Sequence, residues 1–519
     1  MLSLFLLPLA AVGALTTTAV TRRLFDRHFA LLRGRPTQAP PADQFFNQTL
    51  DHFDVIGGGV EWPQRFWVNT TFFKGGASPI FLYVEGEGSG SPYDVVSGEH
   101  VELAASYGAL LVALEHVRAG PQQQTPSTRA RFAFTPHAPA APVPPPPQRY
   151  YGASIPVPDL TTPNMRFLSS HQAIADIATF FDGYLRPTFN LTRANKVATF
   201  GGSYPGALSA WARLRLPHIV HAAVSTSSPV QASFDDTSYN DVVAASLAMP
   251  LIGGSPACTA ATAAAFSAMD AAFLGPAAGR HAMATKLMSC TGLDAVNDTM
   301  WAASNYGSFV QGMVQYNMEA GYSVAEYCAE MTRAGRAPID SFAAAIAATQ
   351  GGQCMDNSYA DYLLQLRNTT ADRGARGLGL RQWTWQCCTQ FSYWQDCDKD
   401  SQCPLSKAFM TLDSNTQQCQ DAFGPGVSRF LNARATRFTN AYMGGQAIAS
   451  SRIVFVNGNV DPWHALSLYN STQPEQPSVF INGTAHCRNM YPSRPTDPPA
   501  LVEARKKIDA LLADFMAAA

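Results

Sequence analysis

Val197-Ala198-Thr199-Phe200-Gly201-Gly202-Ser203-Tyr204-Pro205-Gly206, running into Ala207-Leu208-Ser209-Ala210-Trp211, is the stretch on which the reading of this chain turns. Four strand-forming residues meet a pair of glycines, then a serine, then a helical pattern. A serine on a sharp strand-to-helix turn is the context of a nucleophile elbow. The glycines are required because the serine takes a strained backbone conformation that neighbouring Cβ atoms would obstruct. The helix start then aims N–H groups, that of Tyr204 first, at a developing oxyanion. The strict G-x-S-x-G spacing is broken by Pro205, which the first turn of a helix tolerates because that N–H has no intrahelical partner.

Outward from the elbow, short apolar runs alternate with helical patterns. Arg65–Asn69, Ile80–Val84, Ala109–Leu114, Arg452–Val456 and Val479–Ile481 read as strands, several of them continuously apolar as in a sheet covered on both faces. Between Ser169 and Leu185 the spacing turns helical, with Ala173, Ile174, Ile177, Phe180 and Phe181 on one side. This alternation predicts an α/β fold with a mainly parallel sheet. Residues 235–440 differ: they are Ala-rich, helical in pattern and hold nine of the ten cysteines, eight of them from Cys258 to Cys403 and the ninth Cys419. They read as an inserted helical domain, splitting the core into 45–234 and 441–519.

Two further loops follow predicted strands. Val454-Phe455-Val456-Asn457-Gly458-Asn459-Val460-Asp461-Pro462-Trp463 places an acid beyond a strand, and Ile481-Asn482-Gly483-Thr484-Ala485-His486-Cys487 places a histidine beyond the next. The chain order Ser203, Asp461, His486 is that of the α/β-hydrolase triad.

The 519 residues carry 36 Lys plus Arg against 38 Asp plus Glu, a net charge of −2, so no basic surplus points to nucleic acid. An apolar fraction of 46% excludes global disorder. Leu2 to Leu15 is a short apolar run ending in small residues, and residues 1–20 read as a secretory signal peptide, followed by a basic arm over 21–45. No later stretch reaches about 18 apolar residues, so no stable membrane insertion is expected. Ten cysteines and sequons at Asn47, Asn69, Asn190, Asn297, Asn368, Asn470 and Asn482 indicate an oxidising, glycosylating compartment, secreted or lysosomal/vacuolar.

Further motifs are Phe46-Asn47-Gln48-Thr49-Leu50-Asp51-His52-Phe53, Tyr83-Val84-Glu85-Gly86-Glu87-Gly88, Arg149-Tyr150-Tyr151-Gly152 and Trp383-Thr384-Trp385-Gln386-Cys387-Cys388-Thr389-Gln390-Phe391. With Gly201–Tyr204, Asn457–Trp463 and Ala485–Cys487, this set resembles the S28 serine peptidases from about residue 45 to 515. The resemblance implies an α/β-hydrolase core interrupted by a helical, disulfide-bearing domain that caps the active site. It also implies peptidase activity, often after proline near one end of a short peptide. Ser203 is then the nucleophile, His486 the general base and Asp461 its orienting acid. The oxyanion donors are the Tyr204 N–H and the Gly86-Glu87-Gly88 loop, through Glu87 and Gly88. Trp463 could line a pocket for a proline ring or simply pack the core. For the aromatic cluster Trp383, Trp385, Phe391, Tyr393 and Trp394, packing is the favoured reading. An esterase or lipase on the same core, and a catalytically silent binding glycoprotein, are the rival functions. No cofactor or metal is called for, peptides are the expected partners, and a homodimer is left open.

Two features are discounted. Asp51-His52-Phe53 reads as structural, because neighbours in a strand point to opposite faces. Cys397-Asp398-Lys399-Asp400-Ser401-Gln402-Cys403 reads as a small disulfide loop and not as a metal loop, and the adjacent Cys387 and Cys388 are expected to pair with different partners. One segment fits nothing: Val117 to Gln148 is Pro-rich, low in large apolar side chains, and separates Leu114-Glu115-His116 from Arg149. It starts with Val, whose codons begin GT, and ends with Gln, which can be encoded CAG. It reads as a retained intron, with a genuine exposed loop as the alternative, and transcript sequencing separates the two.

Overall fold

The computed structural model describes residues 38–56, 59–87, 90–115, 150–151, 155–317, 322–371, 379–398 and 400–518. The expected signal peptide, the arm up to residue 37 and the 117–148 segment lie outside the described residues. The core is one eight-stranded sheet: β1 (Gln44–Thr49), β2 (Glu61–Asn69), β3 (Ile80–Val84), β4 (Leu110–Leu114), β5 (Val197–Gly202), β6 (Val220–Thr226), β7 (Ile453–Gly458) and β8 (Ser478–Ile481). Their spatial order is β1-β2-β4-β3-β5-β6-β7-β8. The six strands from β4 to β8 run parallel, and β2 joins β4 antiparallel with β1 antiparallel outside it. This is the α/β-hydrolase arrangement, and its predicted parallel strands fall within a residue or two of expectation.

Both faces of the sheet are covered, which is why the central strands read as unbroken apolar runs. On one face Phe81, Leu111, Ala198, Phe200, Val224 and Val456 pack under α1 (Glu99–Tyr107) and the C-terminal helix Pro499–Ala517. On the other, Leu82, Val112, Val197 and Phe455 pack under α2 (Ser170–Phe180) and α3 (Tyr204–Arg215). Helix α2 starts where the Ser169 side chain accepts the Gln172 N–H, and buries Ala173, Ile174, Ile177 and Phe180 as its spacing predicted. Strand β1 stops at Thr49, so Asp51-His52-Phe53 sits in a turn and not in a strand. There His52 Nε2 meets Asp176 Oδ1 at 2.7 Å and Gln172 Nε2 donates to Asp51 Oδ1 at 2.6 Å, tying the sheet edge to α2. Both contacts are structural.

Between β6 and β7 the described residues form ten helices, from α4 (Ser238–Leu247) to the helix Arg429–Met443. All four disulfides lie here: Cys258–Cys328, Cys290–Cys354, Cys388–Cys419 and Cys397–Cys403. Closing loops of 70 and 64 residues removes denatured-state freedom corresponding to about 4 kcal/mol each in the chain-entropy account. One expectation is corrected. Cys388 pairs with Cys419, but its neighbour Cys387 is a buried free thiol. The two side chains leave the same helical turn in different directions, and only Cys388 faces a second cysteine.

Candidate active site

Strand β5 ends at Gly202, and Ser203 takes φ 65° and ψ −133° before α3 begins at Tyr204. A non-glycine residue in this region is strained, and the turn holds it there. The Ser203 N–H donates to Thr226 O of β6 at 2.9 Å. A Cβ on Gly201 would lie 2.5 Å from the Pro205 carbonyl carbon and 2.8 Å from Ser209 Oγ. A Cβ on Gly202 would lie 2.8 Å from Cys487 Sγ, and one on Gly206 2.5 Å from Thr226 O. Close helix-to-strand packing is thus supplied by Gly206, one position beyond the usual glycine. Pro205 instead packs against Gly86, where no Cβ would fit.

The loop after β7 carries Asp461, whose Oδ1 accepts from the Trp463 N–H at 3.0 Å and from His486 Nδ1 at 2.9 Å. The His486 and Asp461 side chains are 2% and 0% exposed. Burial alone would lower the His486 pKa, but the Asp461 carboxylate, with contacts from Asp461 and Cys487, holds it well above the ordinary value. Burial pushes the Cys487 thiol up, so it is neutral at neutral pH and Asp461 is the charge that matters. The Cys487 N–H donates to Ser227 Oγ at 2.9 Å, fastening the histidine loop to the end of β6 beside the elbow.

Tyr204 provides the first backbone N–H of α3, while its buried hydroxyl lies 3.1 Å from Ser170 Oγ and accepts from Gln386 Nε2 at 3.0 Å. The loop after β3 leans on Pro205 through Gly86, bringing Glu87 to the same helix start. Glu87 is 4% exposed, and burial raises its pKa to about 7 against the pull of its own backbone N–H and of His486. Gly88 lies outside the described residues.

Trp463 is 3% exposed, stands edge-on to Tyr239 and Tyr393, and donates from Nε1 to Gln315 Oε1 at 3.1 Å. It is a packed support of the acid loop, with little ring left to meet a substrate. Trp383, Phe391, Tyr393 and Trp394 are likewise buried, and Trp385 packs on Phe423. Sequence reasoning missed the residues that the helical insertion brings in. Gln315 holds Trp463, and its carbonyl accepts the His486 N–H at 3.0 Å. The Tyr316 ring stands 6.0 Å from the His486 ring. Both lie at an unremarkable helix C-terminus, with no local motif to mark them.

Six of the seven sequon asparagines, Asn47, Asn190, Asn297, Asn368, Asn470 and Asn482, are exposed. Asn69 differs: it is buried, and its Nδ2 donates to Val95 O at 2.8 Å. No helix among the described residues is long and apolar enough to cross a membrane.

Comparison with known proteins follows the same lines. The family described as Serine carboxypeptidase S28 matches residues 48–127 and 147–508, with a break inside the Pro-rich segment. The thymus-specific serine protease of Mus musculus is 32% identical over 532 residues, covering 99% of this chain and 97% of its own length. Its Homo sapiens counterpart is 33% identical over 516 residues, covering 96% and 93%. The lysosomal Pro-X carboxypeptidase of Homo sapiens is 22% identical, covering 97% and 95%.

Proposed function

The chain belongs to the S28 family of serine peptidases, and from that premise we propose that Ser203, His486 and Asp461 form its catalytic triad, in an exopeptidase acting at proline-containing peptide termini. The observation that carries the assignment is the buried His486–Asp461 hydrogen bond, on a loop fastened beside a strained serine elbow.

In this reading Ser203 Oγ attacks the scissile carbonyl while His486 Nε2 takes its proton. The Nδ1–H bond to Asp461 fixes the tautomer that leaves Nε2 able to accept, and the buried carboxylate stabilises the imidazolium. The oxyanion meets the Tyr204 N–H and the 86–88 loop at the positive end of α3. His486 then protonates the leaving amine, and water enters by the same route to release the acyl group. Residues 235–440 act as a cap over the site, with Gln315 and Tyr316 as its points of contact with the triad. The relative named as a Pro-X carboxypeptidase supports a proline preference. The paired cysteines and exposed sequons support a lumenal or secreted location.

The test is mass-spectrometric mapping of cuts in a peptide library by wild type and Ser203→Ala, alongside fluorophosphonate labelling. Cuts confined to one or two residues from a terminus, absent in Ser203→Ala, are expected. Cuts spread through peptide interiors would overturn the exopeptidase reading, and labelling that survives Ser203→Ala would overturn the nucleophile.

A further inference from the structure

Three non-glycine residues take positive φ where the elbow, the end of β6 and the histidine loop meet: Ser203 at 65°, Ser227 at 49° and Cys487 at 57°. Such a conformation is uphill for a residue with a Cβ and persists only where the surroundings hold it. The Ser203 N–H is held by Thr226 O, and the Cys487 N–H by Ser227 Oγ. The elbow and the histidine loop are thus both fastened to the last residues of β6.

A third fastening reaches this point from α1. Glu99, the first residue of that helix, is buried, and its Oε2 accepts from Asn489 Nδ2 at 2.8 Å. The same Nδ2 donates to Thr226 Oγ1 at 3.2 Å. Asn489 is also buried, three residues beyond His486, and its carbonyl accepts from Arg505 Nε of the C-terminal helix at 3.1 Å. One amide group therefore joins the histidine loop to α1 and to the residue whose carbonyl holds Ser203. The fit around it is close: a Cβ on Gly202 would collide with Met490 Sδ, and one on Gly98 would lie 3.2 Å from Met490 O. Burial pushes the Glu99 pKa up to about 7 against the pull of Asn489 and Arg505, with Glu102 and Asp509 adding to the rise. A buried carboxyl contributes little stability next to a well-packed apolar side chain. What it supplies here is an acceptor at a fixed place.

We propose that Glu99 is a positioning residue for the peptidase reaction, holding the histidine loop and the serine elbow to one strand end through Asn489. This rests on Ser203, His486 and Asp461 being the triad. The Asn489 amide has two hydrogens, and Glu99 Oε2 and Thr226 Oγ1 take one each. Without the Glu99 oxygen, one buried N–H loses its acceptor and the amide is free to turn away from Thr226. The histidine loop and the elbow then lose their common anchor. Proton transfer between Ser203 Oγ and His486 Nε2 needs the two within hydrogen-bond reach, so a small displacement is felt in the chemical step. Glu99 Oε2 can accept from the amide whether the carboxyl is ionised or carries its proton on Oε1. The role is therefore that of an oxygen acceptor and not of a charge.

The test uses the full chain, with turnover of a proline-containing peptide amide normalised to the sites a fluorophosphonate labels at completion, and thermal unfolding in parallel. Glu99→Ala and Asn489→Leu are expected to lower kcat about 10- to 100-fold with KM changed little. Glu99→Gln, which keeps an oxygen for Asn489 Nδ2, is expected to retain most of the turnover. Glu102→Ala is the control. Exposed and one turn along α1, Glu102 accepts from the Ser493 N–H at 2.8 Å and Ser493 Oγ at 2.7 Å, tying the same segment to the same helix without reaching the triad. It is expected to lower Tm and leave kcat unchanged. If Glu99→Ala does not fold, Asn489→Leu and Glu99→Gln decide the matter. A kcat within about twofold of wild type in Glu99→Ala or Asn489→Leu would make the contact merely structural and overturn the proposal. So would a loss in Glu99→Gln equal to that in Glu99→Ala or Asn489→Leu, or an equal loss in Glu102→Ala. Wild-type label found away from Ser203 would instead overturn the triad, and the positioning role with it.

Discussion

His486 Nδ1 donates to Asp461 Oδ1 at 2.9 Å, and the same oxygen accepts the Trp463 N–H two residues further on. A single carboxylate oxygen therefore fixes both the imidazole and the turn that carries the acid. The orientation of His486 is thus tied to the backbone of the acid loop.

Asp461→Asn keeps the shape but replaces an acceptor that can only accept with a group that also donates. The imidazole then has no reason to keep its proton on Nδ1. The turnover number is expected to fall about 10⁴-fold with KM changed little, because the loss is in proton transfer. Steady-state kinetics on a proline-containing peptide amide measure it. A fall smaller than tenfold would remove Asp461 from the triad.

The pH dependence follows from the raised pKa of His486. Only the neutral imidazole can accept the Ser203 proton, and a raised pKa means this form is gained above the ordinary histidine value. The kcat/KM profile is expected to rise with pH through a midpoint above 6.5. Asp461→Asn, which removes the stabilising charge, is expected to move that midpoint down. A wild-type acid limb centred below 6 would contradict the assignment.

Gly201→Ala tests the elbow without touching any reacting group. The added methyl would meet the backbone of Pro205, which cannot rotate away, so β5 and α3 must separate. A loss of about 1–3 kcal/mol of stability is expected, together with much slower fluorophosphonate labelling of Ser203. Labelling at the wild-type rate would show that the turn has slack.

The sequons separate by exposure. Glycopeptide mapping of the protein from a secretory host is expected to find glycans among Asn47, Asn190, Asn297, Asn368, Asn470 and Asn482, and none on Asn69. The Asn69 nitrogen that a glycan needs is buried against Val95 O. A fully occupied Asn69 would mean that β2 and the turn at Val95 are not packed as described.

Much of the site was legible because its chemistry is local. The elbow needs glycines within two residues of Ser203, and the acid and histidine each follow a strand directly. What could not be read was what lies opposite. Gln315 reaches Trp463 across 148 residues of sequence, and Trp463 itself, a candidate pocket wall on paper, is enclosed once Tyr239 and Tyr393 arrive. The cysteines divide in the same way. Cys397–Cys403 spans six residues and was readable, whereas the free Cys387 beside the bridged Cys388 was not.

By itself, the sequence determined the parallel sheet and the family, and it named the three residues proposed as the triad, since strand periodicity and turn chemistry are written in neighbouring positions. Tertiary structure alone decided which helix faces His486, which cysteines pair, and that Asp236 pairs with the segment after Tyr393. The reason is geometric. A strand or turn is fixed by the sterics of adjacent residues, but a contact between distant segments depends on where the whole core has already placed them.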